Sequence, residues 1–393
     1  MKLGIALGLR CYRVDEQYYT SSQFNAAMWD ECLASFDEVL IAHRVIHKEE
    51  VGPGEKAILK DGIGLIEFPN SFGFVGGLKC VLKMFWKSRR IVRQADVWHL
   101  HTPNIVSICI WFWLWIFGIP YSLELRGDQS INVDYLRLRG IKFPLLLSGF
   151  MKIFLWLHLS KPLAISTVSG FLTKLSKPRN NCPIHVISNA RIPSELYLKP
   201  RQWDDEDLCY KIVSSGRLEA QKNPLGVIRA LTKLEAKGCS RWKLSWIGDG
   251  PLKKDAEQLS GKLNLSDKIE FLGYIPWDDI FDILKYSDLF VLNSVAEGLP
   301  RAIIEAMACA LPVIGTRSGG WEDILLPEDT VAPLDDEALA DKIYEVFTMP
   351  GRLSKMSSHN LEVARRYSAD VLGAKKVEFY AQVKSLANAI KEI

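Results

Sequence analysis

Short apolar runs alternate with amphipathic helical patterns along most of the chain. In the first half, six apolar runs are typical of buried strands, and they lie at 2–9, 37–45, 63–68, 96–102, 120–127 and 162–169. Apolar strands separated by helices of ordinary length indicate a parallel sheet that is covered on both faces. The pattern therefore predicts a doubly wound α/β domain.

The alternation stops at 190–210, where two prolines and an acidic cluster indicate a linker. It then restarts with five apolar runs, at 210–218, 243–251, 268–275, 288–294 and 311–316. A chain of 393 residues is long for one core. We therefore predict two Rossmann-like domains, at 1–195 and 196–372, that face each other across a cleft. Ligands are expected at the carboxyl ends of the strands.

Composition narrows the class of protein. Hydrophobic residues make up 48% of the chain and charged residues 24%, as in soluble globular proteins. The eight cysteines are scattered, with no C-x-x-C pair, which argues against a zinc site and a disulfide framework. The apolar N-terminus has no small-residue cleavage site and indicates a buried strand. We predict a cytoplasmic location.

Positive charge is concentrated between residues 79 and 179, which carry 15 basic and 4 acidic residues. The basic residues are interleaved with apolar ones at 79–93 and 143–161. Basic amphipathic helices are typical of contact with an anionic membrane surface, so we predict peripheral contact at its inner face. A solvated helix face is the alternative. No nucleic-acid motif accompanies the charge, and nucleic acid is not expected as a partner.

The segment at 105–119 holds 15 residues without a charge. A helix needs about 20 such residues to span a bilayer. The segment follows a predicted strand and ends at Gly118 and Pro120. We predict a buried helix that covers the sheet, with an interfacial helix as the second reading.

The first strand of the second domain leads into SGRLEAQKNP at 215–224. Gly216 allows a close backbone turn, and Arg217 and Lys222 lie before the next predicted helix. Cations beside a helix N-terminus suit a diphosphate, because both attract anions. A pair of surface cations on a loop is the alternative.

The next strand leads into IGDGP at 247–251, which includes Gly250. It has two glycines of G-x-G-x-x-G, but Lys253 stands at the third position and breaks the fingerprint. A tight turn before a helix explains the same residues. The broken fingerprint argues against a dinucleotide-dependent oxidoreductase, and the chain also lacks a P-loop motif.

The strand at 288–294 leads into a loop and helix with two glutamates, Glu297 and Glu305. Their spacing of eight residues is a little over two helical turns, so both can face one side. Pro300 suits the first turn of a helix, and the backbone N–H groups near Gly298 and Leu299 would point at a ligand. Two carboxylates beside N–H donors suit a molecule with hydroxyls at both ends and phosphate between, as in a sugar nucleotide. Taken singly, either glutamate has a purely structural explanation.

The run EGLPRAIIEAMACALPVIGTRSGG at 297–320 resembles the E-x7-E signature of retaining glycosyltransferases of family 4. SGRLEAQKNP resembles the phosphate-binding loop of that family, and GDGP and FLGYI resemble its flanking loops. The order and spacing agree over about 211–326, whereas the first domain agrees in layout only. The resemblance implies the GT-B architecture, and we expect a C-terminal helix at 373–393 that packs back on the first domain.

The resemblance also implies roles for single residues. Arg217 and Lys222 would hold the donor diphosphate, and Glu305 would bind the ribose hydroxyls. Glu297 would bind the donor hexose. The remaining donor-site residues would line the sugar, the phosphates and the nucleobase, and they are Gly216, Gly250, Gly273, Tyr274, Gly298, Leu299 and Pro300. Such enzymes need no metal and no cofactor, so DED at 205–207 is interpreted as a solvated acidic turn in the linker.

The first domain departs from the family at two loops. The loop predicted at 7–17 lacks the glycine pair of many relatives, and Arg126-Gly127-Asp128 replaces a common His-Gly. Arg126 and Asp128 are candidates for the acceptor side, where Arg126 would complement a phosphate; mutual pairing is the alternative. His101 is a candidate contact to donor sugar or acceptor, or else a buried histidine bonded to backbone.

The prediction is a metal-independent retaining glycosyltransferase that moves a hexose from UDP- or GDP-sugar to a glycan or lipid-linked acceptor, as in assembly of surface polysaccharide. Two alternatives stay open. A sugar-nucleotide 2-epimerase shares the two-domain layout, and an inactive scaffold would keep the fold and the nucleotide site without the reaction.

Overall fold

The structure is a computed structural model, and it describes residues 1–20, 26–52, 54–70, 74–102, 104–127, 133–138, 140–175, 178, 180–203 and 209–392. Two separate sheets lie in these ranges, one on each side of the predicted linker. The last strand of the first sheet ends at Val186 and the first strand of the second begins at Tyr210. The exact domain boundaries at 195 and 372 stay predictions.

The first sheet has nine strands. Seven of them pair in parallel in the order β5-β3-β1-β6-β7-β8-β9, and β2 and β4 extend the end of β1 in antiparallel fashion. Their bounds are β1 Lys2–Val14, β2 Gln17–Thr20, β3 Glu38–His47, β4 Lys56–Ala57, β5 Ile63–Phe68, β6 Val97–Thr102, β7 Tyr121–Leu125, β8 Ile165–Thr167 and β9 Ile184–Val186.

The second sheet has six parallel strands in the order β12-β11-β10-β13-β14-β15. Its first strand along the chain, β10, therefore lies at the centre, and the strand order reverses beside it. Ligands bind at such a reversal in open α/β sheets. The bounds are β10 Tyr210–Ser215, β11 Trp242–Ile247, β12 Ile269–Gly273, β13 Leu289–Leu292, β14 Val313–Thr316 and β15 Thr330–Val331.

Helices cover the sheets, as the apolar strands require, because a strand that is buried on both faces needs a layer on each side. Their bounds are α1 Asp30–Leu33, α2 Phe74–Ile91, α3 Ile105–Phe117, α4 Val133–Leu138, α5 Pro144–His158, α6 Gly170–Leu175, α7 Pro224–Ala236, α8 Lys253–Lys262, α9 Trp277–Leu284, α10 Arg301–Ala308, α11 Asp336–Thr348, α12 Arg352–Ala364 and α13 Ala369–Lys391.

One loop prediction is wrong. The segment at 7–17 was expected to be a loop after a short first strand, yet β1 continues to Val14 and turns into β2. Beyond Ala6, β1 no longer pairs with β6 and instead forms a ribbon with β2 and β4. The run LRCYRV at 9–14 contains two arginines and is mostly half-buried, so a search for fully apolar runs overlooks it.

The uncharged segment forms α3, and the prediction of a helix that covers the sheet is confirmed. Val106, Ile110 and Leu114 are fully buried, at a spacing of four residues that places them on one helix face. Trp115 remains 61% exposed at the far end. In the parts of the chain that the structure describes, no helix combines the length and apolar character that crossing a membrane requires.

The C-terminal helix packs back on the first domain, as expected. Phe379 and Tyr380 of α13 lie against His99 of β6, with ring centroids 5.4 and 5.6 Å away. Lys391 Nζ donates a hydrogen bond of 2.5 Å to Asp96. Helix α13 therefore inserts side chains of the C-terminal segment into the core of the first domain.

The buried histidines make stability depend on pH. Burial lowers the pKa of His43 to about 4 and that of His158 to about 3, and it also lowers the pKa of His99 and His101. The unfolded chain takes up these protons near pH 6.5, so stability is fully present above that pH and is lost as the pH falls. Burial raises the pKa of Asp329 to about 6. The folded protein therefore binds one proton there before the unfolded chain does, which partly offsets the loss of stability at lower pH.

We expect the melting temperature to fall steadily from pH 7 to pH 5, because each such histidine removes about 1.4 kcal/mol of unfolding free energy per pH unit. Calorimetry in the two-domain protein at pH 7.0, 6.0 and 5.0 measures this. A His158→Phe variant should show a shallower dependence. A melting temperature that stays constant over this range contradicts the prediction.

Candidate functional site

The carboxyl end of β10 carries the first part of the site. The strand ends at Ser215, Gly216 follows with φ 149°, and Lys222 comes directly before α7. Asn223 caps this helix, since its side chain accepts a hydrogen bond from Gly226 N. The predicted placement of a cation beside a helix N-terminus is confirmed for Lys222.

Lys222 and Glu297 form an ion pair between Nζ and Oε1, and both side chains are largely buried. Gln221 holds the two loops together. Its side-chain Nε2 donates a hydrogen bond of 2.6 Å to Ala296 O, and its backbone carbonyl oxygen accepts one of 2.8 Å from Val295 N. The predicted phosphate loop and the predicted sugar loop therefore meet. A ligand with a sugar next to a phosphate would find both partners in one place.

Glu305 lies in α10 and is buried, with 5% of its surface exposed. Its Oε1 accepts a hydrogen bond of 3.0 Å from Trp277 Nε1, and Arg301 Nη2 lies 3.4 Å from the same oxygen. Trp277 begins α9, directly after the loop that holds Gly273 and Tyr274. No sequence pattern singles out this tryptophan, yet it orients the carboxylate that is predicted to bind ribose.

If the site binds the predicted nucleotide-sugar donor, Trp277→Phe should raise the KM for that donor about 5- to 30-fold with little change in kcat. The phenyl ring keeps the packing on Phe281 but removes the N–H group, and a hydrogen bond to a charged group contributes roughly 1.5–3 kcal/mol at most. Initial-rate kinetics measure the split. Trp203→Phe is the matched control, because Trp203 Nε1 also donates to a carboxylate, that of Asp288 at 3.0 Å. Equal effects of both variants would contradict a specific role.

The other predicted donor contacts surround this centre at different exposures. Arg217 extends into solvent with its side chain 69% exposed, and its Nη1 lies 3.8 Å from Glu219 Oε2. Of the two predicted phosphate cations, only Lys222 contacts Glu297. Tyr274 is 62% exposed and extends toward Gly54 of the first domain. Gly250 lies in a tight turn, where its N–H donates a hydrogen bond of 2.7 Å to Asp249 Oδ1 and a Cβ would overlap Leu218 O.

The loop at Gly298 contacts the first domain. A Cβ at Gly298 would overlap the carbonyl oxygen of Arg126 and would lie 3.3 Å from Gly127 Cα, so only glycine fits there. Leu299 packs at the edge of the apolar core of the second domain. Pro300 is the N-cap of α10 rather than a residue of its first turn, which is a small correction to the prediction. At this point the backbones of the two domains are therefore in contact across the cleft.

Other contacts join the two sides. Asp323 Oδ2 accepts a hydrogen bond of 2.6 Å from Gly170 N at the start of α6. On the opposite side of the cleft, Lys56 Nζ lies 3.6 Å from Asp278 Oδ2. Asp323 follows β14 of the second domain, so this hydrogen bond bridges the two domains.

On the first domain, the predicted candidates follow β6 and β7. His101 lies opposite Glu124 in the strand pairing, and its Nε2 lies 3.5 Å from Glu124 Oε2. Arg126 Nε donates a hydrogen bond of 2.6 Å to Glu124 Oε1. His101 is 4% exposed and therefore offers almost no surface to a ligand in the cleft. Its role in the reaction stays a prediction, and Asp128 lies outside the described residues.

Glu124 is the centre of a buried polar network that the sequence did not predict. Its Oε1 also accepts a hydrogen bond of 2.9 Å from Asn189, and Lys376 of α13 lies 3.4 Å from the Asn189 oxygen. Burial opposes the charge of Glu124, but the charge of Arg126, together with the neighbouring His101 and His99, outweighs it and holds the pKa of this carboxyl well below its usual value. Glu124 stands two residues before Arg126, and that spacing was the only available signal.

His99, His101 and Glu124 place their potential ligand atoms within 4.8 Å of one another, a spacing that a metal ion would also require. The same region already holds two cationic side chains beside Glu124, those of Arg126 and Lys376, and the ion pair of Arg191 with Glu31 lies next to Lys376. A divalent ion would add positive charge to a buried region that has a surplus of it. These residues fit an ion-pair network and do not fit a metal centre. The acidic cluster at 205–207 lies outside the described residues.

Residues 200–362 match the family described as glycosyl transferases group 1. The chain is 36% identical over 142 residues to an uncharacterized glycosyltransferase of Methanocaldococcus jannaschii, which covers 36% of this chain and 34% of that protein. It is 27% identical over 188 residues to the gpi3 subunit of phosphatidylinositol N-acetylglucosaminyltransferase of Schizosaccharomyces pombe, covering 47% and 40%. The chain thus spans less than half the length of either relative.

Among solved structures, HepE of Anabaena in complex with UDP and glucose is similar over 100% of both chains, with a TM-score of 0.62 and 17% identity. At this identity the likeness shows the fold. The predicted two-domain GT-B fold is confirmed, and so is the resemblance of the second domain to glycosyltransferases. Membership of family 4 stays a prediction.

Proposed function

We propose that this GT-B chain is a metal-independent retaining glycosyltransferase that moves a hexose from a UDP- or GDP-sugar to a lipid-linked acceptor. One observation carries the proposal: Lys222 and Glu297 form an ion pair at the centre of the second sheet's carboxyl edge, opposite the first domain. Glu305 lies on the helix that follows the same loop. A cation and two carboxylates at that edge suit a nucleotide diphosphate sugar.

In the proposed donor complex, Lys222 and the N-terminus of α7 bind the diphosphate. Glu305 accepts hydrogen bonds from the ribose hydroxyls, and Glu297 accepts them from the hexose. The ion pair between Lys222 and Glu297 has to open so that each partner can bind its own part of the ligand. The pair holds both loops in place until the donor enters, so little ordering remains to be done on binding.

In the proposed reaction, the bond between the anomeric carbon and the diphosphate oxygen breaks first. The acceptor hydroxyl then attacks the anomeric carbon from the face that the diphosphate leaves, and its proton passes to the departing phosphate. The leaving diphosphate carries additional negative charge in the transition state, which the fixed cation and the N–H dipoles stabilise. No protein nucleophile takes part, and Glu297 holds hydroxyls.

Similar proteins support the choice of donor and acceptor. The similar HepE structure holds UDP and glucose, which supports a UDP-sugar as the first donor to test. The gpi3 relative is a subunit of an enzyme named for phosphatidylinositol, a lipid, which supports a lipid-linked acceptor. Both assignments belong to this proposal.

The first domain has a surface that suits an anionic membrane. Helix α5 buries only Ser148 and His158 and presents a row of exposed apolar side chains. These are Leu145, Leu146, Phe150, Ile153 and Trp156, at 51–73% exposure. Exposed basic residues flank this row at Lys142, Lys152 and Lys161. Apolar side chains that enter the headgroup region with cations around them are typical of peripheral membrane binding.

Removing the charge of Lys83, Lys87, Arg89 and Arg90 on α2 with glutamine should lower binding to anionic vesicles at least 10-fold, because each basic residue near the surface contributes about 1 kcal/mol. Sedimentation with vesicles of phosphatidylcholine and 30% phosphatidylglycerol measures the bound fraction. The matched control replaces four exposed lysines of the second domain, Lys243, Lys254, Lys262 and Lys355. Unchanged sedimentation of the α2 variant contradicts membrane contact through the basic residues of α2.

The proposed function is tested by a mass-spectrometric screen of UDP-, GDP- and ADP-sugars against lipid-diphosphate sugars, with and without EDTA. We expect one donor class to give a glycosylated lipid at the same rate in EDTA, with the anomeric configuration of the donor kept in the product by NMR. An epimerised nucleotide sugar without transfer would overturn the proposal in favour of an epimerase. Binding of nucleotides without any product would favour a scaffold.

A further inference from the structure

Helix α4 makes a contact between the two domains directly beside the donor site. Leu136 of α4 is buried against Ala296, in the loop that follows β13. Helix α4 also lies close to the turn at 220–222, which holds Gln221 and Lys222. Because Gln221 Nε2 donates a hydrogen bond to Ala296 O, Leu136 packs at the point where the two loops of the donor site meet.

A short turn joins α4 to α5. Two backbone hydrogen bonds close this turn, one of 2.9 Å from Gly140 N to Arg137 O and one of 3.1 Å from Ile141 N to Leu136 O. Helix α5 begins shortly afterwards, at Pro144. The position of Leu136 on the donor loop therefore depends on how the N-terminal end of α5 is held.

Helix α5 is anchored to the first domain mainly at its C-terminal end, where Leu155 and Leu157 pack against the apolar core. In its first half, a single serine is buried. Toward the N-terminus, Phe143, Leu145 and Leu146 are 66–73% exposed. A helix end with few buried apolar contacts opens at a low cost in free energy. In water, the weakly held end of α5 is thus the end that continues into α4.

The exposed end of α5 suits an anionic lipid surface. The chain has no acidic residue between Asp134 and Glu195, and exposed Lys142 and Lys152 flank the apolar side chains. A bilayer would bury these apolar side chains and would pair anionic headgroups with the lysines. A second copy of the chain would bring the same positive charges to the contact, which disfavours self-association here. Lipid therefore supplies the packing that this end of α5 lacks in water.

We propose that membrane binding by α5 seats Leu136 on Ala296 and thereby orders the donor loop, which makes Leu136 a positioning residue for the donor site. The inference rests on the donor site and the membrane contact of the proposed function and adds the connection between them. Coupling between two binding sites is reciprocal, so a donor nucleotide should strengthen membrane binding by the same factor. The donor site is then best ordered where a lipid-linked acceptor is found.

Hydrogen–deuterium exchange of the full chain, with and without vesicles of phosphatidylcholine and 30% phosphatidylglycerol, tests the connection without any nucleotide. Val295 N donates a hydrogen bond of 2.8 Å to Gln221 O, so exchange at 294–298 reports opening of the donor loop. We expect vesicles to slow exchange roughly 5-fold or more at both 143–158 and 294–298. Leu136→Ser should keep the first effect and lose the second. Leu136→Met should keep both, because it preserves the packing volume.

Replacing Leu145 and Leu146 with serine should remove both effects. The matched control replaces Leu334 and Met349, two apolar side chains of the second domain that are 56% and 53% exposed, and should leave both effects unchanged. Vesicles that slow exchange at 143–158 but not at 294–298 overturn the inference. Equal protection of 294–298 in Leu136→Ser, or no protection of 143–158 in the unmodified chain, overturns it as well.

Titration with UDP and GDP separates failure of the inference from failure of the proposed function. We expect the nucleotide that binds to do so roughly 5-fold more tightly when vesicles are present, and Leu136→Ser should abolish the difference. Equal affinity with and without vesicles overturns the coupling and leaves the proposed function intact. A chain that binds neither nucleotide counts against the proposed function, and the exchange experiment then decides the inference by itself.

Discussion

Replacing Lys222 with alanine should lower the rate of sugar transfer roughly 10²- to 10³-fold, which corresponds to about 3–4 kcal/mol of transition-state stabilisation. Lys222 Nζ contacts Glu297 Oε1, and Lys222 lies just before the N-terminus of α7. The diphosphate is proposed to bind at this helix N-terminus. The leaving diphosphate gains negative charge as the glycosidic bond breaks, and a fixed cation acts most strongly at that moment. We expect kcat to fall much more than the affinity for UDP does.

The control for this prediction is Lys211→Ala. Lys211 is an exposed lysine on β10 of the same domain, so its loss changes the net charge equally without changing the site. Circular dichroism and the melting temperature show whether each variant keeps the fold. A Lys222→Ala enzyme with a native melting curve and near-wild-type turnover contradicts the assignment of the donor site.

Much of the donor half was predictable because its chemistry is local in sequence. Lys222, Glu297 and Glu305 each follow a strand of the second sheet, and the carboxyl ends of parallel strands meet at one edge. Their placement around a single point therefore follows from the alternation of apolar runs and helices. The tryptophan that orients Glu305 was not predictable, because Trp277 is separated from it by a helix and a strand.

The acceptor half was much less predictable. The extension of β1 depends on pairing with β2 and β4, which are four and two residues long and carry weak patterns. Lys376 reaches Asn189 across 187 positions of sequence through the returning helix α13. Such a contact is set by the packing of α13 on the first domain, and single residues give no signal of it.

The second large effect is expected at Glu124, where Glu124→Gln should lower the unfolding free energy by about 3–5 kcal/mol. The carboxylate is 4% exposed and accepts hydrogen bonds from Arg126 and Asn189. Removing its charge takes away the carboxylate that Arg126 Nε contacts and the nearer of two negative charges that act on buried Lys376, the other being Glu31. Because Arg126 O lies against Gly298, the loss should also loosen the contact across the cleft.

Urea denaturation followed by tryptophan fluorescence measures the change for Glu124→Gln, and Glu67→Gln is the control. Glu67 also pairs with an arginine, Arg13 at 3.1 Å, but its side chain is 35% exposed, so its loss should lower the unfolding free energy by less than about 1 kcal/mol. Adding Lys376→Met to Glu124→Gln removes the buried cation that has lost its nearer carboxylate and should recover about 1–2 kcal/mol. If the double variant is less stable than Glu124→Gln alone, Lys376 stabilises the first domain by packing and the charge network is refuted.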